Sequence, residues 1–75
     1  MLRYGDQLRL TKREVDILSE RVRFVPEGIR TEGDLRNWFA RVQLYYTRHY
    51  GEGTDLDRLA RHRLDQELSR LLIAA

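Results

Sequence analysis

Few residues in this 75-residue chain have side chains suited to chemistry. His49, Asp55, Asp57 and His62 bring metal-ligand types near one turn. A zinc site needs three or four such groups converging at about 2 Å. Acids just after a turn fit equally well at a helix start, where the helix dipole favours them. The sequence reading assigns Asp55 and Asp57 to capping, His49 to the edge of an aromatic core and His62 to solvent, with no metal. Nucleophilic catalysis has no better footing. The two serines, Ser19 and Ser69, lie inside helical patterns without a histidine–acid pair around them. The glycine-rich "GEGTD" at 51–55 lacks the lysine and spacing of a phosphate-cradling loop. No catalytic residue, cofactor or small-molecule substrate is expected, and the expected function is non-catalytic binding.

Charge is the stronger signal. Fourteen basic side chains face twelve acids, and all the basic ones except Lys12 are arginine. Arginine suits planar recognition of carboxylates and phosphates; arginine also accumulates where codons are GC-rich. Residues 1–13 hold Arg3, Arg9, Lys12 and Arg13 against Asp6, for +3, and residues 36–50 hold three arginines and no acid. Residues 14–35 sum to −3 and residues 51–75 to −1. Two basic zones flanking an acidic one point to nucleic acid. Five of the seven aromatics lie between Trp38 and Tyr50. Aromatics beside arginines can stack on bases, but these share one helical arc, so core packing is the reading adopted.

Three helices must position these groups, over 11–25, 33–50 and 55–73, in a single domain spanning 1–75. The first starts at "TKRE", where Thr11 and Glu14 make a capping box. Val15, Leu18, Val22 and Val25 form one stripe, with Ile17 and Phe24 on a second side. Pro26 is expected to stop this helix, because the residue before proline avoids the α region. Thr31 caps the second helix with Asp34 at the third position. Its apolar arc holds Leu35, Trp38, Phe39, Val42, Tyr45, Tyr46, His49 and Tyr50, with Leu44 stranded between Arg41 and Arg48. Gly51 ends it. Thr54 or Asp55 opens the third helix, whose apolar face is Leu56, Leu59, Ala60, Leu64, Leu68, Leu71 and Leu72. The expected core is Val15, Leu18, Val22, Leu35, Trp38, Phe39, Val42, Tyr45, Tyr46, Leu56, Leu59, Leu64, Leu68 and Leu71. The segment "QLRLT" alternates with period 2, as a half-buried strand does. It reads either as a lone strand or as half of a hairpin, Leu2–Tyr4 against Gln7–Leu10, with Gly5 opening a type II′ turn. The expected fold is all-α: a small three-helix bundle with a short extended N-terminal arm.

A chain this small usually needs a disulfide, a metal or a partner chain. It has no cysteine, which suits a reducing, cytoplasmic setting, and no apolar run that could span a bilayer. A homodimer is therefore expected.

The stretch from Gln7 to Val42 resembles the ribbon-helix-helix family of DNA-binding repressors. The strand "QLRLT" is followed by the helix "KREVDILSERV", the loop "EGIRTEGD" and the helix "LRNWFARV". The resemblance implies two chains pairing their strands into a ribbon that enters the major groove. Gln7, Arg9 and Thr11 would then read bases, with Lys12 and Arg13 in the same positive zone, and Leu8 and Leu10 would face the dimer core. The loop around Gly28 to Asp34 would approach phosphate through its backbone N–H groups. The chain departs from that pattern in a longer loop holding Pro26, in Glu27, Glu32 and Asp34 near the implied phosphate contact, and in its third helix. The other class of partner is a protein. Apolar residues off the main stripes, Ile17, Phe24 and Leu44, with Arg41 and Arg48 beside the last, would make its contact surface.

Overall fold

At Tyr4-Gly5-Asp6-Gln7 the chain reverses direction. In the computed structural model, which describes residues 1–74, strand β1 (Leu2–Tyr4) pairs antiparallel with β2 (Gln7–Arg9). Gly5 has φ +60, while Asp6 keeps a negative φ. That is the pattern of a II′ turn, whose twist matches the flanking strands. The arm is thus the hairpin rather than a lone strand, and the fold is three helices plus a two-stranded ribbon.

An isolated hairpin is marginal in water, and this one is held to the helices at several points. Leu8 is buried in the helical core. Its N–H donates to the Arg30 carbonyl at 2.8 Å, and Gln7 bridges Thr31. The terminal ammonium donates to Glu14 Oε2 at 2.6 Å, and Arg3 pairs with Glu32.

Helix α1 (Lys12–Val22) opens on the expected capping box. Glu14 N–H donates to Thr11 Oγ1 at 3.2 Å, and Thr11 N–H donates to Glu14 Oε1 at 2.9 Å. It ends three residues short of Val25. Arg23 turns left-handed at φ 68, ψ 22 and donates its N–H to the Ser19 carbonyl at 2.9 Å. The stop therefore precedes Pro26, which is buried in the loop beyond. Phe24 leaves the helix and packs edge-on against Tyr45 and Tyr46, with centroids 4.9 and 5.9 Å away. The second apolar side expected on this helix loses Phe24 for that reason.

Helix α2 (Glu32–Tyr50) has its own capping box, Thr31 with Asp34, and ends at Gly51. Thr54 caps α3 (Asp55–Ala74): it accepts the Asp57 N–H on its hydroxyl at 3.2 Å and the Arg58 N–H on its carbonyl at 3.0 Å. Asp57 is the one buried charged residue among those described. The Thr47 hydroxyl donates to its Oδ1 at 2.6 Å, the Gly53 N–H to its Oδ2 at 3.0 Å, and Arg61 lies at 3.5 Å. The side chain read from sequence as a first-turn acid therefore also ties α2 to α3. A hydrogen bond from the Thr47 hydroxyl, then one from the Gly53 N–H, hold its carboxyl below the ordinary 3.8 against the opposing effect of burial.

The core is Leu8, Leu18, Val22, Leu35, Trp38, Phe39, Val42 and Leu64. Val15, Tyr46, Leu68 and Leu71 are half-buried around it. Tyr45, Leu56 and Leu59, expected inside, lie exposed. The reason on α3 is rotation: its buried side centres on Asp57 and Leu64, seven residues apart, which leaves Leu56 and Leu59 at the margin. No described helix is long and apolar enough to cross a membrane.

Candidate nucleic-acid interface

Directly opposed residues in an antiparallel pair share a face. The register sets Arg3 against Leu8 on the inner face, and sets Leu2 against Arg9 and Tyr4 against Gln7 on the outer one. All four outer residues are exposed, Leu2 at 62% and Tyr4 at 88%. The ribbon thus presents an amide, a guanidinium, a phenol and one aliphatic side chain to the outside.

Pairing divides the nearby charges. Arg3 is taken by Glu32, which also receives Arg36 at 3.4 Å. Those two hydrogen bonds, Arg3 first, lower the Glu32 carboxyl below its usual range. Glu14 is taken by the terminal ammonium. Burial pushes the Glu14 carboxyl up; the ammonium and Thr11 outweigh it and hold the group below 4.5. Arg9, Lys12 and Arg13 are exposed and make no ion pair with the described residues. The free acids of α1, Asp16 and Glu20, come one and two turns further along; Asp6 sits in the hairpin turn.

Thr11 differs from Gln7, Arg9, Lys12 and Arg13, which are all exposed. It is half-buried, and its hydroxyl is engaged in the cap of α1. The loop approach is also altered: the Arg30 and Thr31 N–H groups donate to Asp34 Oδ2 at 3.1 and 3.2 Å, so neither is left for phosphate. Strand β2 has no open edge, since β1 lies on one side and Arg30–Thr31 on the other. A second chain could pair with it, as in the ribbon-helix-helix arrangement, only by displacing one of them. The open edge belongs to β1.

Arg41, Leu44 and Arg48 come together on the outer face of α2 at spacings of three and four. Leu44 is 51% exposed, and neither arginine makes an ion pair with the described residues. Ile17 is exposed on α1, while Phe24 is held by its aromatic neighbours. The described residues hold no cluster of three metal-ligating side chains, and both Asp57 oxygens already have partners.

No family model, curated protein or solved structure matches this chain.

Proposed function

We propose that this chain is a non-catalytic DNA-binding module that lays the outer face of its own hairpin in the major groove. What supports the reading most is the unpaired set Gln7, Arg9, Lys12 and Arg13, gathered where the hairpin meets the start of α1. The major groove admits a two-stranded ribbon. Gln7 suits the N6 and N7 edge of adenine, and Arg9 suits O6 and N7 of guanine. Lys12 and Arg13 meet phosphate.

Lys12 and Arg13 occupy the first two positions of α1, where the macrodipole disfavours cations by roughly 0.3–1 kcal/mol each. A bound phosphate reverses that sign, because helix N-termini and basic side chains both favour an anion. In this reading one chain makes the ribbon. A homodimer would add its second copy at the open edge of β1 and extend the ribbon there.

The test is duplex binding at low and moderate salt, with mass measured by sedimentation alongside. Arg9→Ala should weaken specific binding while leaving the melting temperature unchanged. If wild type shows no binding at low salt, the proposal fails.

A protein partner is the second reading, favoured by exposed Leu44 between unpaired Arg41 and Arg48. On that reading the charge reversal Arg41→Glu with Arg48→Glu leaves duplex affinity as it was.

A further inference from the structure

Away from the hairpin, the end of α1 and the 56–67 stretch of α3 enclose a groove of about 600 Å³, backed by Tyr46 and Tyr50 of α2. Its floor is apolar, with Val22 and Leu64 buried and Tyr46 half-buried. The Tyr46 hydroxyl is turned aside, donating to the Val22 carbonyl at 2.5 Å. Along the rim Leu56 and Leu59 are 57% and 46% exposed, and Tyr50 is also exposed. Leu56, Leu59, Arg63 and Gln66 follow one another at spacings of three, four and three along α3 and all line the groove. That is the seam spacing with which one helix packs on another.

The unpaired charges at the rim are in positive excess. Glu67 is neutralised by Arg21 at 3.2 Å and Arg70 at 3.3 Å. Arg23 and Arg63 line the groove without an ion pair to the described residues, leaving Glu20 as the opposing free acid. Arg23 adds an independent observation. It holds the left-handed conformation at φ 68, which glycine adopts freely and other residues adopt at a cost. Helices commonly end on glycine at such a residue. Arginine at this position keeps a cation at the groove mouth and accepts the strain, and such retained strain points to a functional contact.

We infer that this groove docks an acidic amphipathic helix of a partner protein. The partner's apolar stripe lies on Leu56 and Leu59, and its carboxylates face Arg23 and Arg63. This is helix-in-groove recognition. It uses a surface separate from the hairpin and does not depend on what the hairpin binds.

The test uses the full chain and a labelled synthetic peptide roughly two heptads long, with leucines at the seam positions and glutamates beside them. Two control peptides carry scrambled leucines, or lysine in place of each glutamate. Fluorescence anisotropy gives affinity, and methyl spectra of Leu56 and Leu59 locate the site. The acidic amphipathic peptide should bind best and shift those methyls. Arg23→Glu with Arg63→Glu should weaken it by about tenfold and favour the lysine peptide, since the charge pairing becomes repulsive. Arg23→Gly is the sharper variant: it relieves the backbone, so the protein should melt higher while binding the acidic peptide less well. Equal binding of all three peptides overturns the inference. So does sedimentation showing a dimer that Leu59→Asp dissociates, because the groove is then filled by a second copy.

Discussion

Replacing Lys12 and Arg13 together with alanine separates binding from folding. Both residues sit in the first turn of α1, against the helix dipole. Their removal should stabilise the helix by roughly 0.3–1 kcal/mol each at low salt. In a domain this small, 1 kcal/mol moves the melting temperature by roughly 4–8 °C, so the double variant should melt no lower than wild type. Binding should respond in the opposite direction. Lys12 and Arg13 are the unpaired cations assigned to phosphate, while Arg9 is assigned to a base edge. If each of the two neutralises one phosphate, the slope of log K against log salt is about −1.8, and affinity falls ~12-fold from about 50 to about 200 mM salt. The double variant keeps neither, so its slope should approach zero over the same range. Anisotropy titrations of a labelled duplex across that salt range measure both slopes, and a thermal melt accompanies each. A variant that melts as well as wild type and keeps the wild-type slope would refute the assignment of these two side chains to phosphate. A wild-type slope near zero would refute the nucleic-acid reading as a whole.

The remaining predictions concern what holds the face in place. Leu8→Ala removes the hairpin's one buried anchor and should cost about 2–5 kcal/mol if the site cannot collapse. Hydrogen exchange should then show protection lost first at Gln7–Arg9 while α2 stays protected; uniform loss would mean that the hairpin and helices unfold as one. Acid should destabilise the fold through Glu14 and Asp57, whose folded-state carboxyls lie below their ordinary values of 4.5 and 3.8. A depressed carboxylate stabilises fully above its unfolded value and loses that contribution as pH falls through the folded one. Thermal melts should therefore decline below 4.5, and Glu14→Gln should flatten that decline; an identical acid limb would contradict the assignment. Tyr46→Phe removes the hydroxyl bonded to the Val22 carbonyl and should cost roughly 0.5–1.5 kcal/mol, read as a lower denaturant midpoint with unchanged slope.

What could be read from the sequence was what the chain decides locally. Thr11 with Glu14, and Thr31 with Asp34, each close a capping box between residues three apart, and both helix starts lie within one residue of the expected position. The II′ turn is equally local, since Gly5 supplies its positive φ. Errors arose where distant segments decide. Arg23 reads as an ordinary helical residue, and nothing in its neighbours signals a left-handed stop, so the helical pattern in the sequence runs three residues past the end of α1 at Val22. Leu56 and Leu59 carry the same apolar signal as Leu64. Which of them is buried depends on Asp57, a charged residue turned inward because Thr47, Gly53 and Arg61 together satisfy it. A hydrophobicity pattern assigns that position to solvent and so misplaces the buried side of α3.

The hairpin follows the same logic and carries it into function. Its alternation shows that Gln7 and Arg9 share a face, but not which segment covers the edges of β2. Those edges are filled by β1 and by Arg30–Thr31, two segments far apart in sequence. With β2 paired on both sides, its outward side chains stand on a strand fixed from both edges, and the ribbon's inner face is pinned by Leu8. Preorganisation of this kind lowers the ordering cost of binding. A ribbon completed within one chain therefore needs no second chain to present Gln7 and Arg9, and duplex affinity should not depend on protein concentration through a dimerisation step. Titrations at several protein concentrations, each with mass measured, decide this. Binding that appears only where dimers form would return the ribbon to an arrangement between two chains.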